Sequence, residues 1–332
     1  VAMLILLVSL PFLVLILLAN WVTARGGTGA RTSFNLFLFL AGAILAAGGV
    51  GLHFAPALAA TLPSADGQLL ARGLGSAALV GMGVWAMVVS LRPARQWLHR
   101  FLPALEPDSS VHTLALVLVG ALAANAILSS GAGLETMAAA GLEASLLDVL
   151  AQGLVFVLAA GLGVGLLTRR DTAGLVRRLG LQRPTASQLW TGVRWIIFLV
   201  FLQGCIGVTW ALLSPDQAGQ VSGISEALLG NFDTVWEWFL LAAAAGLGEE
   251  LLFRGALQPI FGIVPTSLIF AISHVQYGLS PATLIVFLLS IVLGIIRKRS
   301  NTTVAIFIHG GYNFILGLLS LLAIWAQSAL AQ

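Results

Sequence analysis

Apolar runs close to twenty residues long recur along this chain, separated by short polar stretches. A run of that length crosses a hydrocarbon layer of ~30 Å as a helix rising about 1.5 Å per residue. The pattern predicts spans at roughly 1–23, 34–62, 72–91, 111–130, 146–168, 189–213, 234–257, 266–278, 281–296 and 302–326. The fold class is all-α, a polytopic transmembrane helical bundle of about 8–10 spans. The 266–278 run is too short to cross and predicts a partial helix opening onto a polar cavity. Two longer connections, 92–110 and 169–188, interleave Trp97, Leu98, Leu175, Val176 and Leu179 with arginines. That alternation predicts short amphipathic helices on an anionic leaflet.

Composition agrees with lipid as the main solvent. The chain is 59% hydrophobic and 9% charged, against about a quarter charged in soluble domains. The formal charge of +3 raises the question of a nucleic-acid partner. The basic residues instead sit between apolar runs: Arg25 and Arg31; Arg92, Arg95 and Arg100; Arg169, Arg170, Arg177, Arg178 and Arg183; Arg297, Lys298 and Arg299. If spans alternate, all four clusters share one side. The opposite loops carry Asp66, Glu135, Glu143, Asp148, Asp216, Glu226 and Asp233, with Arg72 as their one basic residue. By the positive-inside rule the N-terminus is outside and the basic loops are cytoplasmic, in a multi-pass protein of the plasma membrane. No nucleic acid is expected, and the bilayer itself is the first partner.

The first segment, Val1 to Val22, lacks a basic leader region and a small-residue cleavage pattern before Arg25, so it reads as a retained span. Cys205, the single cysteine, lies in an apolar run and reads as a buried structural thiol. Gly26-Gly27-Thr28-Gly29 is a loop, since no strand precedes it. Glycines at 161, 163, 165, 246 and 248 suit close helix packing.

Ionisable residues inside the spans are unevenly distributed. The first six spans are nearly free of them, whereas the last four hold Glu237, Glu249, Glu250, Arg254, His274, His309 and Asn313. Each charge at a span's centre costs on the order of 3 kcal/mol, so their concentration points to a water-accessible site. Glu250 and Arg254 are one helical turn apart and face each other, with Glu249 about 100° round the helix. One carboxylate is thus paired while its neighbour stays free. His309 and Asn313 share a helix face, and Gly310 and Gly311 between them let another backbone approach closely. Counting from the cytoplasmic ends of their segments, Glu249, His274 and His309 all lie about 12–14 Å deep and can share one layer.

Glu237, Trp236 and Trp238 read as interfacial. Tyr312 is a candidate for shaping the site, and His53, His99 and His112 have no polar companions at helical spacing and receive no role.

A carboxylate, two imidazoles and an amide supply a general base, a proton shuttle and oxyanion donors, enough to hydrolyse a carbonyl bond. The same Glu249, His274 and His309 could instead ligate a divalent metal such as zinc and leave a position for water. The residues alone do not choose between these.

Glu-Glu-x-x-x-Arg at 249–254, Phe-x-x-x-His at 270–274 and His-x-x-x-Asn at 309–313, in that order on successive apolar segments, resemble the motifs of the CAAX-protease and bacteriocin-processing (CPBP, Abi) family. Its members include type II CAAX prenyl endopeptidases. The resemblance covers roughly 234–325 and divides the chain into N-terminal helices of unknown role (1–233) and a catalytic core (234–326). It implies an intramembrane endopeptidase in which Glu249 and His274 activate water, His309 and Asn313 stabilise the oxyanion, and Glu250 and Arg254 support them. No cofactor is needed if the mechanism is glutamate-dependent. The implied partner is a peptide or membrane-protein substrate: a prenylated CAAX tail, a leader peptide or another membrane protein. Two other classes compete. A non-enzymatic immunity, scaffold or regulatory protein would use the same pocket for binding. A proton-coupled transporter would call for polar residues in both halves of the chain or an inverted repeat, and neither is found.

Overall fold

The structure, a computed structural model, describes residues 1–54, 68–139, 143–278 and 280–330. The end of the second expected span (55–62) and Asp66 fall outside the described residues, as do the side chains of Arg72 and Glu135. The elements run α1 (Ala2–Arg25), α2 (Thr28–Phe54), α3 (Gln68–Ser90), the short α4 (Arg92–His99), α5 (Ser110–Ala139), α6 (Leu146–Gly163), the short α7 (Thr172–Leu179), α8 (Ala186–Leu213), α9 (Pro215–Leu229) and α10 (Val235–Glu249). A π-helical stretch, Glu250–Leu257, continues α10 without a break into the single turn α11 (Gln258–Phe261). Then come α12 (Ile263–Ser273), a 3-10 turn (Val275–Tyr277), α13 (Pro281–Arg299) and α14 (Thr302–Leu330). Among the described residues eight helices are long and apolar enough to cross a membrane, and no strand is formed. The protein is a multi-pass, all-α integral membrane protein.

Polar residues start and stop these helices where the apolar pattern changes. Ser145 with Asp148, Thr185 with Gln188 and Thr234 with Glu237 form capping boxes at the starts of α6, α8 and α10, each satisfying backbone donors the first turn leaves free. At the arginine-rich end, Thr302 at the head of α14 donates from its backbone to Gly180 and from its hydroxyl to Leu179 (2.9 and 2.6 Å). Pro259 has no N–H, so the Gly255 carbonyl four residues back lacks its helical donor. Arg178 supplies it: its guanidinium donates to the Gly255 and Ala256 carbonyls (2.7 and 3.3 Å). Gly262, at φ +83°, then turns the chain back into the bundle as α12, a conformation that favours glycine.

α10 lies between α6 and α14. A Cβ added at Gly246 would meet the Gly310 nitrogen at 2.9 Å, and one added at Gly248 would meet the Gly153 carbonyl at 2.9 Å. These are the close approaches expected for Gly246, Gly248 and Gly310; Gly311 meets the Ile196 side chain instead, and Gly161 and Gly163 have no close backbone neighbour. In a bilayer such small-residue contacts bring backbones together where apolar burial gives no drive.

Several expectations are corrected. Cys205 is exposed rather than buried, and lines a groove of about 370 Å³ with Trp210, Leu213 and Pro281. Trp238 packs inside the protein, where its indole donates to the Phe232 carbonyl (2.9 Å). Trp236 stays exposed, and Glu237 serves as the capping partner of Thr234. Gly165 does not sit in a helix interface: at φ +105° it forms the turn after α6. The expected surface helices are α4 and α7, but Arg95 points inward from α4 and donates to the Val89 and Pro107 carbonyls (both 2.7 Å). His99 and His112 fold the following turn, His99 Nδ1 bonding the Leu105 carbonyl and His112 Nδ1 accepting from the Glu106 amide. α9 lies in a stretch read as loop. Its polar and small residues hide any apolar period, yet it packs on α5, α8 and the 3-10 turn.

Candidate active site

The intramembrane polar residues converge. Glu249 ends α10 and Glu250 opens the π-helical stretch; the wider i→i+5 winding leaves Arg254 nearly above Glu250. Arg254 Nε is 3.2 Å from Glu250 Oε2, and both side chains are sealed from solvent. The guanidinium also donates to the Ser290 hydroxyl on α13 (3.2 Å) and lies 4.6 Å above the Phe270 ring. One turn further along, Gln258 donates to the Gly294 carbonyl (2.9 Å). These two polar contacts lock α13 onto the glutamate-bearing helix. His309 closes the sealed side, its Nδ1 2.9 Å from Glu250 Oε1.

Glu249 and His274 form the open side, with side-chain exposures of 16% and 21%. Glu249 Oε2 is 4.0 Å from His274 Nε2 and 4.0 Å from His309 Nε2, and it has no hydrogen-bond partner among the described residues. His274 caps the partial helix α12, and its Nδ1 is 2.8 Å from the Phe270 carbonyl. A carbonyl only accepts, so Nδ1 carries a proton, and Nε2 is the nitrogen turned towards Glu249. Tyr277 stacks parallel to this imidazole.

The structure therefore brings Glu249, Glu250, Arg254, His274 and His309 into one cluster. Asn313 stands one turn beyond His309 on α14, half-buried. Tyr312 is buried in an apolar cluster with Ile196, Leu199 and Ile308. Two residues given no site role in the sequence reading contribute, Phe270, which stood there only as part of the 270–274 motif, and Ser290. Phe270 is fully buried and touches Arg254, His274 and His309. Ser290 is fully buried too, and its signal was available as the lone hydroxyl in the apolar run 284–296. Arg194, on the exposed face of α8, is an ionisable group that the first six spans do contain.

Zinc ligands lie about 2.0–2.2 Å from the ion, which sets tetrahedral ligand atoms about 3.4 Å apart. The 4.0 Å separations here are wider, and among the described residues no group of three His, Cys, Asp or Glu has metal-binding spacing. As arranged, these residues do not fit a metal. They do fit water, which hydrogen-bonds at about 2.8 Å and can bridge atoms this far apart.

Residues 231–315 match the family model described as type II CAAX prenyl endopeptidase Rce1-like. This stretch, about a quarter of the chain, is similar to that family. No curated protein and no solved structure matches the chain. The Rce1-like stretch runs from just before α10 into the middle of α14 and contains every residue of the cluster. The Rce1-like family is one of proteases, which implies a peptide substrate and a membrane setting.

Proposed function

We propose that this protein is an intramembrane endopeptidase that hydrolyses a peptide bond near the cytoplasmic membrane face. The observation that carries the reading is the buried Glu249 Oε2, unpartnered among the described residues and equidistant from two imidazole nitrogens. A water held there meets the Glu249 carboxylate and His274 Nε2. Glu249 takes the proton as the water oxygen bonds to the carbonyl carbon. The resulting oxyanion accepts hydrogen bonds from His309 Nε2 and the Asn313 amide. When the tetrahedral intermediate collapses, the C–N bond breaks and the proton passes from Glu249, with His274 as shuttle, to the leaving nitrogen.

The contact of His309 Nδ1 with Glu250 Oε1 (2.9 Å) supports the assignment of His309, because it turns Nε2 towards Glu249. Glu250, held by Arg254 and His309, orients the imidazole without touching substrate. Residues 234–326 form the catalytic core in this reading and 1–233 the accessory helices. The arginine-rich end faces the cytoplasm and the N-terminus lies outside, in the plasma membrane.

The test is cleavage of a peptide library, a prenylated CAAX peptide included, by the purified protein in liposomes. Wild type cuts at least one peptide, Glu249→Ala and His309→Ala do not, and a chelator leaves the rate unchanged. Cleavage surviving both substitutions would sink the reading; loss of cleavage to the chelator would replace glutamate with a metal as water activator.

A further inference from the structure

Arginines at the membrane-proximal end are arranged as more than scattered topology signals. Arg178, Arg170 and Arg297 are each half-buried, and Arg178 feels the positive charges of Arg170, Arg297 and Arg169, with no carboxylate among the described residues acting on it. Burial first, and those charges second, push its guanidinium down to about 10. The nearby carboxylates act elsewhere: Asp171 accepts from the Gly174 amide at the head of α7 (2.8 Å), and Glu106 acts on Arg169. Arg178 spends two of its donors on the Gly255 and Ala256 carbonyls, and Arg170 one on Val164. Arg297 packs over Gly180, so closely that a Cβ there would lie 2.8 Å from its Nη2. Its Nε is buried with no hydrogen-bond partner among the described residues.

We propose that Arg170, Arg178 and Arg297 form a binding site for a phosphate group. Phosphate offers the negative charge these guanidiniums lack and oxygens that accept their remaining donors in fork geometry. A lipid headgroup at the bilayer surface and a soluble phosphate share this chemistry. Since Arg178 also holds the carbonyls that follow Arg254, a bound anion braces the helix carrying the Glu250–Arg254 pair.

The test uses the purified, delipidated full chain in detergent, titrated separately with phosphatidylglycerol, phosphatidylcholine and inorganic phosphate. Bound ligand is read by native mass spectrometry and stability by thermal unfolding. Phosphatidylglycerol is expected to be retained and to raise the unfolding temperature, and phosphatidylcholine to do neither. Replacing both Arg170→Gln and Arg297→Gln weakens phosphatidylglycerol binding roughly 30-fold. The double change Lys298→Gln with Arg299→Gln removes the same charge from exposed positions and is expected to leave binding within about twofold, well below a full headgroup contact. Arg297→Lys, which keeps the charge, guards against a folding defect and retains most of the binding. Phosphate that binds and competes with the lipid, or binds alone, supports the site and assigns a soluble ligand. Equal losses from the two double variants would overturn the proposal, as would no response to either phosphatidylglycerol or phosphate.

Discussion

Two helix pairs in this molecule are held by the same device and differ in what stands beside it. In α2 and α3, a Cβ on Gly42 would meet the Gly83 carbonyl at 2.7 Å, and one on Gly49 the Ser76 carbonyl at 2.9 Å. In α10 and α14, Gly246 stands equally close to Gly310. The first contact is flanked by Leu79, Val80 and Ala86, with no ionisable residue in 34–52 or 73–90. In the second pair, Gly310 directly follows His309 and Gly246 lies three residues before Glu249. Small-residue packing is a general answer to helix association in lipid. It becomes a site only where carboxylate and imidazole are carried by the same closely packed turns.

If that contrast is right, the chemistry can be removed without disturbing the packing. Glu249→Gln is expected to lower peptide cleavage roughly a hundred- to ten-thousand-fold, the range for loss of a general base, with thermal unfolding of the purified protein unchanged. Cleavage at the wild-type rate would make α10–α14 as inert as α2–α3. The sealed half responds in the opposite sense. Arg254→Met strands the fully buried Glu250 carboxylate and should cost about 3–5 kcal/mol in unfolding. Adding Glu250→Gln to it recovers much of that loss, because the uncompensated charge is gone.

The same contrast shows why some features were legible in the sequence and others not. Span positions follow from apolar run length, which lipid enforces directly, so α1, α5, α8 and α14 sit where the pattern predicts. Glu249, Glu250, Arg254, His274 and His309 were visible because ionisable groups are costly in apolar segments. Ser290 and Phe270 are ordinary residues for a membrane helix, and their contacts with Arg254 come from tertiary packing that one-dimensional spacing does not encode. The π-helical stretch is illegible for a similar reason. The Gly255 and Ala256 carbonyls near its end accept from Arg178, a partner 77 positions from Gly255 that local spacing does not reveal. Cys205 was misread because an apolar neighbourhood in sequence does not say whether a side chain faces lipid or protein.

A smaller effect separates the two glycine contacts. Gly246→Val and Gly42→Val each force backbones apart and should destabilise by about 1–3 kcal/mol. Only Gly246→Val is expected to lower cleavage as well, because it shifts Glu249 against His309. Measuring unfolding and cleavage on the same preparations tests this; equal activity losses would mean that general stability, rather than site geometry, limits turnover.

The smallest effect comes from an ion pair outside the membrane, the counterpart of the sealed Glu250–Arg254 pair. Arg92 donates from Nε and Nη2 to Asp108 (2.8 and 3.1 Å), and both side chains are exposed. The hydrogen bond from Arg92, more than its charge, holds the Asp108 carboxyl below its ordinary 3.8. A lowered folded value means that the pair's contribution is present above pH 3.8 and lost as the pH falls through the folded value. Asp108→Asn should therefore unfold slightly below wild type at neutral pH, and the gap should close in acid. Solvent and salt screen an exposed pair, so raising the salt should also shrink the neutral-pH gap, whereas the loss caused by Arg254→Met should persist. If both losses fell alike with salt, burial would not be what distinguishes the two pairs.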